Sequence, residues 1–238
     1  MKGRLLLPIL LHCAAALGGQ SFEGILRYKV DLELAEPLKK KGITREMVLQ
    51  KITVESPWAE EIEIAYKGGN YRTTMITNPL TWSIYKGETN RIFTMNNGMG
   101  ADLCAVTDAS LDLDAAGFQL SKRNQIVKIG QYTCQVVRLT WKTVVYDYYF
   151  SPAHFKADPD LYDRHTFEGW NAYLRAARAL PIRIIKTTPG VLSITLTLVE
   201  GRAEQVPDSL FELPELVTDP TLEVAKTATR TLFRIRKN

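Results

Sequence analysis

The chain is poor in the residues that most often carry chemistry. It has three cysteines and three histidines in 238 residues and no C-x-x-C spacing, too few ligands for a structural zinc site that needs about four. No G-x-S-x-G occurs, so the strained turn that presents a nucleophilic serine in α/β-hydrolases is missing. There is no repeat of fixed period and no low-complexity linker. The one marked apolar run, "LLLPILLHCAAALGG", is shorter than the roughly 20 apolar residues a membrane-spanning helix requires.

What is present is ordinary for a globular protein: 45% apolar and 24% charged residues, enough for a substantial core in a single domain. The apolar run follows Lys2 and Arg4 and ends in small residues, the layout of a secretory signal peptide. Ala16 and Gly18 suit the positions before a cleavage site, giving residues 1–19 as leader and a mature start near Gly19. Cys13 follows His12 and Leu11, which departs from the pattern of a lipid-modified cysteine. Loss of Lys2 and Arg4 lowers the formal charge from +4 to +2. Lys39, Lys40 and Lys41 and the basic tail "TRTLFRIRKN" are runs too short to indicate nucleic acid in an exported chain.

Export leaves Cys104 and Cys134 in an oxidising compartment, where an even pair is expected as a disulfide. It would close a 31-residue loop, worth about 3 to 4 kcal/mol; two separate buried thiols are the alternative.

Alternation dominates the pattern. "FEGILRYKVDL" places Phe22, Leu26, Tyr28, Val30 and Leu32 on one face. In "AEPLKKKGITREMVLQKIT", Thr44 caps a short helix with Met47 and Val48 inward. Ile62, Ile64 and Tyr66, then Tyr71, Thr73 and Met75, flank Gly68-Gly69-Asn70 in a hairpin pattern, repeated around Lys86–Asn90. Residues 100–124 read mostly as connection, 124–150 as two strands turning at Gly130-Gln131. Phe167, Trp170, Tyr173, Leu174 and Ala177 recur at helical spacing up to Pro181. Strands resume around Pro189-Gly190, and "VPDSLFELPE" closes the core with Phe211. Hairpins with two helical interludes predict an α+β protein, one domain over residues 20–214 and a peripheral tail over 215–238.

"FEGILRYKV", "AYKGGNYR", "IYKGETNRIFTM", "IGQYTCQVV", the helix before "ALPIRII", and "VPDSLFELP" occur in this order. The set resembles a family of exported proteins of unknown function from Gram-negative bacteria, similar to the periplasmic lipoprotein carriers of the LolA type. The resemblance implies a curved antiparallel sheet, an unclosed half-barrel, with helices across its concave face and an apolar cavity between. Such carriers hold their lid with a buried arginine, for which no single residue here is a match. The implied function is an exported, non-enzymatic binding protein of the periplasm or cell envelope, holding a lipid or acyl chain with no cofactor. Its partners would be a hydrophobic small molecule or an acylated protein, and another envelope protein. The alternatives are an envelope scaffold with a filled core and, more distantly, a hydrolase at the open end of the sheet.

Trp82, Trp141 and Trp170, all assigned to apolar faces, are the candidate cavity residues together with Tyr66 and Tyr71. "VYDYYF" reads as strand propensity, since tyrosine suits a half-buried pleated surface. Asp158, Asp160, Asp163 and His165 fall close together but without the glycine and ligand number of a calcium loop; they read as caps and helix-dipole partners, and no metal is expected. N-terminal sequencing of the exported chain should start at about Gly19, and growth on a clickable fatty acid should leave Cys13 unlabelled. Label that disappears on Cys13→Ser would show a lipid anchor instead.

Overall fold

In a computed structural model, residues 21–55, 58–95, 102–110, 117–225 and 230–236 are described; the leader lies outside them. Their strands form one antiparallel sheet built from two meanders. The first runs through β2 (Glu61–Lys67), β3 (Asn70–Met75), β4 (Asn78–Lys86), β5 (Arg91–Met95) and β6 (Leu103–Asp108). The second comprises β7 (Gln119–Ile129), β8 (Tyr132–Trp141), β9 (Val144–Phe150), β10 (Pro181–Thr188) and β11 (Leu192–Ala203). The first strand, β1 (Gly24–Leu34), joins them by pairing with β2 on one side and β11 on the other. Two further strands, β12 (Leu216–Val217) and β13 (Arg230–Ile235), extend the edge beyond β6. Within the residues after Pro214, expected as a peripheral appendage, β12 and β13 thus pair along the sheet edge.

Local chemistry explains most of these elements. In β1, Leu26, Tyr28, Val30, Leu32 and Leu34 are buried while Lys29, Asp31 and Glu33 are exposed, the period-two signature of a sheet with one covered face. The β2–β3 turn has Gly68 at φ 53° and Gly69 at φ 80°. A two-residue turn matching strand twist needs positive φ at both positions, which only glycine adopts without steric cost. A Cβ on Gly69 would also lie 3.1 Å from Leu161.

Helices are few. Helix α1 (Glu36–Lys39) and α2 (Arg45–Glu55) follow β1. Thr44 Oγ1 accepts from the Met47 amide at 3.3 Å, the expected cap. Met47 itself is 55% exposed, against the inward placement its spacing predicts. The helix over 167–180 is shorter than its periodicity implies: α3 spans Trp170–Ala177. Glu168 at φ 53° and Gly169 at φ 72° break it from a 3-10 turn at Phe167–Gly169, and Arg178 at φ 52° ends it in the left-handed region. Among the described residues, α3 and its flanking turns pack over the inner face, where Tyr173, Leu174 and Ala177 join the main core.

A second, smaller core lies on the outer face. Val206 and Phe211 pack on Ala65 and Ile84, so the "VPDSLFELPE" segment closes this outer layer and not the concave one. Lys67 Nζ donates to Val206 O at 2.7 Å and Arg72 Nη1 to Leu210 O at 2.9 Å, tying the segment to β2 and β3.

The expected disulfide is absent. Cys104 and Cys134 are both free and buried. Cys104 sits on β6 in an outer cluster with Phe93 and Val106, and Cys134 on β8 in the main core. Eight strands lie between β6 and β8 in the sheet. The spacing along the chain suggested a short loop, but the meanders send the two strands to opposite halves. Burial pushes the Cys104 thiol up to about 11 and raises that of Cys134, so both resist thiolate chemistry. Alkylation without reductant should label neither cysteine in the folded protein and both after denaturation; a denatured chain still refusing two labels would show that the pair is bridged.

Candidate functional site

The inner face encloses a hollow of about 400 Å³ that touches strands from β6 (Thr107) round to β9 (Tyr146). Laid flat, eight strand spacings of about 4.8 Å would separate those residues by roughly 38 Å. One cavity of that volume reaches both only because the sheet curls, and the curl does not close. Among the described residues, β7 and β12 end the sheet without joining each other.

Register sets the lining. Tyr66 faces Tyr71, Tyr71 faces Tyr85, and Tyr85 faces Ile92 on successive strands, a row of aromatics ending in isoleucine. Tyr71 stacks on Tyr85 with ring centroids 5.2 Å apart. In the other meander Leu196 faces Ile184 and Ile184 faces Tyr148. One residue pair further along, Ile194 faces Lys186, and Lys186 faces Tyr146.

The connection from β9 to β10 covers part of this face. It is fastened to the hairpin tips of the first meander largely through backbone acceptors. The Thr166 and Phe167 amides donate to Ala109 O at 2.8 and 3.0 Å. Asn90 Nδ2 donates to Arg164 O at 2.9 Å, and Arg164 Nη2 donates to Gly87 O and Glu88 O at 2.9 and 3.0 Å. Gly169, where a Cβ would come within 2.8 Å of Leu139 and 2.9 Å of Phe118, lets the connection lie against β8. The segment brings His165, Phe167, Glu168 and Trp170 to the hollow.

His165 is only 2% exposed. Its Nε2 lies 2.8 Å from Tyr71 Oη, and its ring is 4.4 Å from that of Tyr85. Among the described residues, its Nδ1 and the Trp170 Nε1 have no hydrogen-bond partner. Burial drives the phenols of Tyr66, Tyr71 and Tyr148 well above their ordinary range, so they stay neutral. The surface offered is apolar and aromatic with a few fixed polar points, suited to a hydrophobic ligand.

Of the five residues proposed from sequence, Tyr66, Tyr71 and Trp170 line the hollow. Trp82 does not. Its neighbours Ser83 and Tyr85 point inward, so the pleat sends Trp82 outward, where the Arg72 guanidinium lies 5.5 Å over its ring. Trp141 ends β8 outside the lining, 6.3 Å from Phe118. Tyr146 and Tyr148, set aside as mere strand formers, are cavity wall, while Asp147 faces the other way and takes Arg138 in a two-point ion pair at 2.5 and 2.6 Å. The acidic stretch before α3 is spent locally: Asp158 caps the Asp160 amide at 3.1 Å, and Asp163 pairs with Arg175. Sequence reasoning also passed over Lys186, although the inward alternation Ile182, Ile184, Lys186 in "PIRIIKTT" was the available signal.

No family model and no curated protein matches the chain. Among solved structures, one of PNGF-II is similar over 79% of this chain and 29% of its own, with 8% identity and a TM-score of 0.42. A LolA superfamily protein from Nitrosomonas europaea is similar over 81% of this chain and 91% of its own, with 10% identity and a TM-score of 0.37. This chain thus spans less than a third of PNGF-II. Both are weak likenesses. What the geometry itself defines is a large, unclosed antiparallel sheet with an aromatic hollow on its inner face.

The buried imidazole has a consequence for stability. Desolvation pulls His165 down to about 4 from 6.5. Below about pH 6.5 the unfolded chain therefore takes up a proton that the folded chain refuses until about pH 4. Stability is lost as pH falls through that window, by about 3 kcal/mol in all. Thermal melts from pH 7 to 4 should show a steeper fall for the wild type than for His165→Gln; parallel slopes would remove His165 as the source.

Proposed function

We propose that this chain is an exported, non-enzymatic binding protein that holds a lipid or acyl chain in its half-barrel, acting in lipid or lipoprotein carriage within the cell envelope. The observation that carries this is the 400 Å³ aromatic and aliphatic hollow between the curled sheet and the β9–β10 connection. Each methylene moved from water into such a lining is worth about 0.8 kcal/mol, so burial of the tail supplies most of the holding energy for a long chain. Export rests on the leader-like first 19 residues. Among the described residues no helix is long and apolar enough to cross a membrane.

The scaffold alternative requires a filled concave face, and the hollow argues against it. The hydrolase alternative needs a base poised near working pH. His165 reaches the cavity but is held neutral with a weakened affinity for protons. Ser151 Oγ and His154 Nδ1 are 2.9 Å apart, yet they belong to one tight turn with Ser151 buried. Organic extraction of protein recovered from the envelope fraction, followed by lipid mass spectrometry, should yield about one single-chain equivalent per protein. Ile194→Trp, which fills the hollow from β11, should abolish that yield; a wild-type protein that releases no lipid sinks the proposal.

A further inference from the structure

The greasy inner face carries one cation out of pattern. Lys186 follows Ile182 and Ile184 on the inward side of β10 and sits in register between Ile194 and Tyr146. Among the residues lining the hollow, Lys186 and Glu168 are the charged pair. Lys186 Nζ lies 2.5 Å from Glu168 Oε1, and Tyr146 Oη donates to the same oxygen at 3.3 Å. The ammonium also rests 5.1 Å over the Tyr146 ring. Two donors from adjacent strands thus converge on one carboxylate at a partly exposed rim, where the Lys186 and Glu168 side chains are 39% and 40% exposed.

The carboxylate they hold is delivered by an unfavourable backbone. Glu168 sits at φ 53°, ψ 22°, in the break before α3, a left-handed conformation that glutamate seldom adopts. The donor pair thus stands on the sheet, and the acceptor on the connection. We propose that Lys186 and Tyr146 form a head-group site for a single-chain carboxylate amphiphile, a long-chain fatty acid, whose tail occupies the hollow. The Glu168 carboxylate marks the position that the ligand's carboxylate takes when Glu168 turns away. This rests on the cavity reading proposed above and adds the chemistry of the ligand's polar end.

Two features select this class. One ammonium and one hydroxyl match a single monoanionic carboxylate, whereas a phosphate head is better met by the planar fork of arginine, and among the described residues no arginine lines the hollow. A volume of about 400 Å³ lies near the lower end of the roughly 300–1,000 Å³ range of ligand sites, which suits one chain and not several.

Displacement of the neutral probe N-phenyl-1-naphthylamine from the delipidated full chain provides the test, with laurate and methyl laurate as competitors. Laurate should displace the probe at a concentration about tenfold or more below that of its ester, as expected for a charge-assisted contact. Lys186→Met should bring the ratio to about one, and Glu168→Gln, which removes the competing carboxylate, should raise it. Acid and ester of equal potency on the wild-type protein would overturn the head-group site while leaving the cavity reading intact. A tenfold preference that survives Lys186→Met would take the role from Lys186. A chain that binds neither the probe nor either competitor would overturn the cavity reading itself. The wild-type and Glu168→Gln comparisons stand even if Lys186→Met fails to fold.

Discussion

The docking of the β9–β10 connection onto the hairpin tips of the first meander is the constraint on which the hollow depends. An open sheet of this width has no closure to fix its curvature, and twist alone would splay its two halves. Arg164, Asn90 and the amides of Thr166 and Phe167 bridge the halves instead. Each such bond contributes about 1 kcal/mol net, so the bridge is a sum of modest terms. Most of its acceptors are main-chain carbonyls, which places the demand on the path of the backbone more than on particular side chains.

Given that bridge, tyrosine is a sensible lining. Its ring supplies apolar wall, and its hydroxyl finds an acceptor at the cavity's margin. Tyr28 donates to Pro181 O at 2.7 Å and Tyr146 to Glu168 Oε1 at 3.3 Å, and Tyr71 Oη lies 2.8 Å from His165 Nε2. These bonds fix ring orientation, so the space between rings is held open by groups that cannot easily collapse into it. Lys186 fits the same logic: its stem runs along the apolar face, and its ammonium reaches the rim. Burial lowers its hold on a proton, but Glu168 and Tyr146 outweigh that and raise it, so it remains a cation.

Much of the strand pattern was legible in the sequence because alternation and turn chemistry are local. The inward set of β1, the Gly68-Gly69 turn, the opposition of Tyr66 and Tyr71 and the Thr44 cap all follow from neighbours within a few positions. Errors arose where a local signal was ambiguous. The helical spacing from Phe167 to Leu180 does not reveal that Glu168 and Gly169 turn left-handed, because that break serves contact with Leu139 and Phe118. Residues 119–129 read in part as loop because their side chains are largely exposed along an edge strand, leaving no apolar face to recognise. Trp82 reads from sequence as a residue of an apolar face, which does not tell the inner face from the outer one. It is in a core, but the outer one.

The sequence by itself determined which residues of a strand share a side and where many of the turns fall, since period two and glycine conformation are properties of neighbouring residues. Only the tertiary structure decided which strands came together and which face curled inward. Tyr71 meets His165 across 94 positions and Asn90 meets Arg164 across 74, while Cys104 and Cys134, much closer in the chain, are carried apart. The physical reason is that pairing order in an antiparallel sheet is settled by the combined burial and hydrogen bonding of whole strands, a sum to which no short stretch holds the key.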